Sequence, residues 1–130
     1  MSNLTEECLF CNKKKQNIIY STKFIYVVRD SFPVTKHHSL IIPHRHVSNF
    51  FDLNENELND LSETLKKERQ SLLNLDKKIT AFNVGVNAGK DAGQSVMHCH
   101  IHLIPRRKGD IENPRGGVRG VIPSKQKYIR

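Results

Sequence analysis

The sequence predicts a single domain of strands and one long helix, with the helix covering a face of the sheet. Three observations predict it. Short stretches rich in β-branched and aromatic residues recur along the chain. One leucine-patterned run, Asp52 to about Leu75, has the length of a helix of about 30 Å. The stretch Gln94–Arg106 holds His98, His100 and His102 in alternation with Cys99, Ile101 and Leu103. On a strand, that alternation sends three imidazoles to one face and the apolar residues to the other. On a helix, steps of about 200° would scatter them.

The bulk numbers narrow the class. The 130 residues make one domain, with 37% hydrophobic and 26% charged residues, the balance of a globular chain. No apolar run approaches the roughly 20 residues that span a bilayer. The start, Met1 to Glu7, lacks a basic n-region and an apolar h-region, so a cytoplasmic protein with reduced cysteines is expected. The formal charge is +8 and the pI near 9.6. Such a charge favours anionic partners, whether phosphates, nucleotides or nucleic acid, and does not separate them.

The elements follow in order. Cys8-Leu9-Phe10-Cys11 offers two thiolates to one tetrahedral metal. Zinc is favoured over a redox pair, because no strand precedes the motif. Residues 12–17 are polar, a loop or a helix remnant. Ile18–Tyr20 and Phe24–Arg29 read as strands, and Asp30-Ser31-Phe32-Pro33 as the turn that closes the second. Lys36–Ile42 reads as a third strand ended by Pro43, with His44-Arg45-His46 in a loop. In the helix, Leu58, Leu61, Leu65 and Leu72 form the inward stripe, with Leu73 and Leu75 near it. Asn54 suits its N-cap, and Glu55 and Glu57 suit its positive end. Lys66, Lys67 and Arg69 read as a solvated face. Ile79–Asn87 reads as a fourth strand, in which Gly85 suggests a bulge or a close backbone approach. The glycine-containing loop Ala88–Ser95 can turn N–H groups toward a phosphate. After Pro105 no periodicity remains. Arg106–Arg130 holds five arginines, three lysines, Pro114, Gly116, Gly117, Gly120 and Pro123, and on composition reads as a basic tail.

The run His98-Cys99-His100-Ile101-His102-Leu103-Ile104 closely resembles the signature of the histidine triad (HIT) superfamily. Cys8-Leu9-Phe10-Cys11 resembles the N-terminal Cys-x-Phe-Cys of bacterial members, and Ile41–Val47 their Val-Ile-Pro-Lys-x-His segment. Asn87-Ala88-Gly89 through Gly93-Gln94-Ser95 is similar to the family's nucleotide loop. The resemblance covers roughly residues 7–106, and residues 113–119 resemble a sub-branch of bacterial members, which implies functional order there. His44 stands where Lys is usual, and His37 precedes the matching His38 where Gly is usual.

The resemblance implies an α+β fold, an antiparallel sheet of five or six strands with one long helix packed on it. It implies homodimers. It implies cleavage at the α-phosphate of nucleoside 5′-phosphate derivatives: dinucleoside polyphosphates or nucleoside phosphoramidates, with a purine, adenine by family habit. His100 would be the nucleophile and form a nucleotidyl-histidine, its other nitrogen fixed by a backbone carbonyl near His98. His102 would donate to the phosphate, and its being His rather than Gln favours hydrolysis over transfer between sugars. Gln94 and Ser95, with the Gly93 and Ser95 N–H groups, would hold oxygens. Asp30 would bind ribose, Phe10 and Phe32 would lie near the base, and Asn87 would contact ribose or phosphate. Cys8, Cys11, His46 and His98 would bind a structural Zn2+. Cys99 would be core. Two competing readings are a nucleic-acid deadenylylase and a nucleotide-binding regulatory module with incidental hydrolysis. The first is disfavoured, because the cysteine count leaves no added zinc finger.

Overall fold

The computed structural model describes residues 7–129; most of the start read for a leader, residues 1–6, lies outside them, as does Arg130. Five strands form one antiparallel sheet: β1 Ile18–Ser21, β2 Ile25–Arg29, β3 Ser39–Pro43, β4 Ile79–Gly85 and β5 Ile101–Arg107. Their spatial order is β1-β2-β3-β5-β4. The long helix α1, Glu55–Leu75, crosses one face. The expected α+β architecture is therefore present, with five strands. No helix among the described residues is long and apolar enough to cross a membrane.

The two faces are buried by different means. On the helix face, Ile25, Val27, Ile41, Cys99 and Ile101 pack with Leu53 and Leu61, and Leu103 with Leu72 and Ile79. On the opposite face, Phe10 from the N-terminal segment packs with Tyr26, Val28, Leu40 and Ile42. Hence β2 and β3 are buried on both sides and read as continuous apolar runs rather than alternating ones.

Several boundaries differ from the sequence reading. The third strand starts at Ser39, because His37 adopts φ 75°, a left-handed turn that ends the approach to the sheet. Pro43 belongs to that strand and pairs with Ile25. The fourth strand ends at Gly85. It has an irregularity between Ile79 and Ala81, whereas Gly85 sits in regular register opposite His102. No atom lies within 4 Å of where a Gly85 Cβ would stand. The histidine strand begins only at Ile101. The Cys99 N–H bonds Val47 O in a loop, so His98 and His100 precede the ladder while the alternation of faces continues.

The helix stripe is also different. Its buried residues are Glu57, Leu61, Thr64, Glu68 and Leu72, while Leu58 and Leu75 are exposed. Two carboxylates can be buried there because cations reach them: Arg45 at 2.8 Å from Glu57 and Arg29 at 3.1 Å from Glu68. Asn54 and Glu57 form a full capping box at the helix start. Glu57 thus ties the loop holding His46 to the helix. Lys66, Lys67 and Arg69 are exposed, as read.

Candidate active site and metal centre

Alternation places His98, His100 and His102 on the face opposite α1, where each meets a different partner. His98 is fully buried, and its Nε2 lies 2.8 Å from Pro43 O. A carbonyl only accepts, so that nitrogen carries the proton and Nδ1 presents a lone pair. Nδ1 faces Cys8 Sγ at 3.3 Å, Cys11 Sγ at 3.5 Å and His46 Nδ1 at 3.2 Å, and Cys11 Sγ lies 3.1 Å from His46 Nδ1. All four donor atoms fall within 4.8 Å of one another. A tetrahedral zinc with Zn–S of about 2.3 Å and Zn–N of about 2.0–2.1 Å needs donor separations of about 3.3–3.8 Å. The observed separations of 3.1–3.5 Å need to open by only a few tenths of an ångström, so the donor chemistry and the clustering fit a Cys2His2 ion. Burial, then Cys8, pushes the Cys11 thiol up to about 11; binding an ion there displaces protons. Cys99 is buried in the core, away from this cluster.

His100 is buried, with Nδ1 2.8 Å from His98 O, so Nδ1 carries the proton and Nε2 the lone pair. The Phe10 ring packs against it, with centroids 5.0 Å apart. Phe10 is itself only 4% exposed, and its carbonyl accepts from the Tyr26 hydroxyl. Its place is the wall behind His100, which leaves little of the ring to meet a base.

A fourth histidine joins the site, one the sequence reading matched to the family but gave no role. His38 is buried at the start of β3, and its Nε2 lies 2.9 Å from His102 Nδ1. The Val34 N–H donates to His38 Nδ1 at 3.0 Å. Nδ1 is therefore unprotonated, Nε2 carries the proton, and His102 Nδ1 accepts it. His102 in turn holds its own proton on Nε2. Burial pushes both imidazoles down, the neighbouring histidines push His102 further, and Asp30 pulls both partly back. The signal for the Val34 contact is a backbone amide, which no side-chain pattern displays.

The other predicted residues divide. Asp30 sits with this pair, its Oδ2 3.5 Å from His38 Nε2, while Oδ1 accepts from the Phe32 N–H at 2.9 Å. Phe32 is 88% exposed on that turn. Asn87 and His102 line one cavity. Ser95 is exposed and makes no hydrogen bond among the described residues. Gln94 faces inward: its amide donates to Ser48 O and Val96 O and accepts from the Gly89 N–H. The Gly93 N–H donates to Lys90 O at 2.9 Å. These two groups, expected to hold oxygens, are engaged in bracing the loop. His44 stacks on Tyr26 with centroids 5.3 Å apart, and its Nε2 lies 3.0 Å from Thr22 O.

The cavity beside His102 and His38 measures about 610 Å³. Clefts of about 790 and 870 Å³ flank Arg107 and reach neither His100 nor His102.

An antiparallel sheet carrying three alternating histidines beside a Cys2His2 cluster defines a class, and the comparisons agree: residues 12–109 match the HIT domain. The chain belongs to the histidine triad family. It is 38% identical over 94 residues to the bis(5′-nucleosyl)-tetraphosphatase (asymmetrical) of Schizosaccharomyces pombe, covering 72% of this chain and 51% of that one. It is 34% identical over 110 residues to the adenosine 5′-monophosphoramidase of Saccharomyces cerevisiae, covering 82% and 66%. The chain thus spans about half to two thirds of these two relatives. A zinc-bound histidine triad family protein from Mycobacterium smegmatis superposes with a TM-score of 0.75 at 26% identity, covering 84% of this chain and 81% of that one.

Proposed function

We propose that this protein is a nucleotide hydrolase that cleaves at the α-phosphate of a nucleoside 5′-phosphate derivative. The observation that carries the reading is the pair of opposite tautomers: His100 keeps its lone pair on Nε2, and His102 keeps its N–H on Nε2. Relatives named as a tetraphosphatase and a monophosphoramidase support the substrate class.

A phosphorus shielded by anionic oxygens favours an uncharged nucleophile, and neutral imidazole is one. His100 Nε2 forms the bond to phosphorus as the bond to the leaving group breaks, its electron pair departing with the leaving group. The resulting imidazolium keeps its Nδ1–H on His98 O. His102 Nε2–H bonds an oxygen of the phosphate and stabilises the developing charge. Water then attacks phosphorus, restores neutral His100 and loses its proton to solvent. Ser95 contacts the phosphate from the loop, and Asn87 the phosphate or ribose. Asp30 accepts from the ribose hydroxyls, Phe32 covers the base, and Gln94 and Gly93 hold the loop's shape. Adenine is the favoured base.

Cys8, Cys11, His46 and His98 would hold a zinc ion that, with four protein ligands, would be structural rather than catalytic. The His98 carbonyl that orients His100 would be fixed by that anchoring. The protein acts as a homodimer in the cytoplasm.

The test is product analysis with diadenosine polyphosphates and adenosine 5′-phosphoramidate, comparing wild type with His100→Asn. AMP release by the wild type and its loss by at least about 1,000-fold in the variant are expected. Full activity of His100→Asn sinks the mechanism. Tight nucleotide binding with no turnover by the wild type would mark a regulatory binding module instead.

A further inference from the structure

The C-terminal segment is a folded clip rather than a tail. Gly116 has φ 82°, and a Cβ there would stand 1.9 Å from Gln126 O. At Gly120 a Cβ would stand 2.7 Å from Gln126 Oε1. The chain closes on itself through Gln126 Nε2 to Arg115 O at 3.3 Å and Arg119 Nε to Lys125 O at 3.1 Å. Tyr128 lies against the guanidinium groups of Arg115 and Arg119, 5.2 and 4.7 Å from its ring centre. A turn at Gly117–Val121 docks on β4.

That clip forms one wall of the 610 Å³ cavity whose other end is His102 and His38. The volume is that of a small-molecule site, about 300–1,000 Å³. Ile104, Ile111, Val118 and Val121 line it with Arg106. The Arg106 guanidinium is fixed on three sides: Nε and Nη2 on the Asp110 carboxylate at 2.8 and 2.9 Å, and Nη1 on Asn83 Oδ1 at 2.7 Å. The side chain lines the cavity and is 22% exposed, and a planar guanidinium held by its edges can stack on a planar ring. Along β5, Arg106 lies four residues beyond His102, about 13 Å at the strand rise. A small amine leaving group at His102 does not reach it.

We propose that the C-terminal clip builds the leaving-group subsite, and that it selects leaving groups ending in a planar ring, such as the second nucleoside of a dinucleoside polyphosphate, over small amines. The proposal rests on the hydrolase reading above. Gly85, opposite His102 with open space at its Cβ position, keeps the entrance to the subsite wide.

The test is the double variant Val118→Ser/Val121→Ser. These residues are 64% and 77% exposed, so polar replacement leaves the core intact. The ratio of kcat/KM for diadenosine tetraphosphate to that for adenosine 5′-phosphoramidate is measured in wild type and variant. The ratio is expected to fall about tenfold, carried by KM, the scale of a lost apolar pocket contact. Calorimetry of the same double variant in a His100→Asn background is expected to move the Kd for diadenosine tetraphosphate toward that for AMP. An unchanged ratio overturns the proposal. So does a wild type that hydrolyses the phosphoramidate and does not bind diadenosine tetraphosphate. A wild type that hydrolyses neither compound overturns the hydrolase reading itself, and this inference with it.

Discussion

His38 shows how much a single buried side chain can decide. Its hydrogen bond to His102 Nδ1 leaves the His102 proton on Nε2. Replacing it by Asn leaves His102 free to adopt either tautomer. The expected result is a fall in kcat of about 100-fold with KM little changed, read from steady-state kinetics. A parallel rise in KM would instead indicate a collapsed pocket. The same burial has a consequence for stability. His37, His38 and His102 are all held below the ordinary imidazole value, chiefly by burial. Unfolded, they take up protons near pH 6.5. Below that value and above the folded ones, the unfolded chain binds more protons, so stability falls as pH drops through this window. Above about pH 7.5 both states are neutral and the effect vanishes. Thermal melts at about pH 5 and 7.5 are expected to show a lower Tm at the acid value.

Among the elements, α1 is held by polar contacts that a leucine count overlooks. Glu57 closes the capping box and receives Arg45 at 2.8 Å. Glu57→Ala removes both and leaves a buried void, an expected loss of about 2–3 kcal/mol in urea unfolding. Leu58→Ala, at an exposed position that the stripe placed inward, is expected to cost under about 1 kcal/mol. The C-terminal clip depends on backbone freedom in the same local way. Gly116→Ala places a methyl group on Gln126 O. Limited proteolysis is expected to cut the segment after residue 110 in that variant and spare it in the wild type, with the Tm of the domain nearly unchanged.

At the scale of the molecule, two assemblies are expected. The outer edge of β4 is unpaired among the described residues, and beside it Leu65, Leu73, Phe82 and Val84 line a groove of about 410 Å³ between sheet and helix. A long, partly apolar edge invites a second copy. Val84 is 47% exposed there; for the proposed homodimer, sedimentation analysis is expected to find a dimer in the wild type and a folded monomer in Val84→Asp. The Cys2His2 cluster joins an N-terminal segment with few apolar residues to the histidine strand, helped by Phe10. Metal analysis is expected to find stoichiometric zinc in the wild type and little in Cys8→Ser, with a lower Tm. A metal-free, fully stable wild type would remove the zinc assignment.

The sequence by itself determined the strands, the helix and the grouping of imidazoles on one face. These follow from local periodicity, and periodicity is written in residue order. It also specified Asn54 as the helix cap, Cys99 as core and, through the family resemblance, the four Cys and His residues that converge in one cluster. What it left open were contacts between residues far apart in the chain. Val34 N–H on His38, Arg45 on Glu57, Gln94 turned inward and the glycine-dependent clip over the cavity all depend on backbone paths that bring distant groups within hydrogen-bond reach. Three histidines two residues apart look equivalent in the sequence. Only the tertiary structure gives one a carbonyl and a cluster of two thiols and a histidine, the next a carbonyl alone, and the last another histidine, and those partners decide which nitrogen each presents.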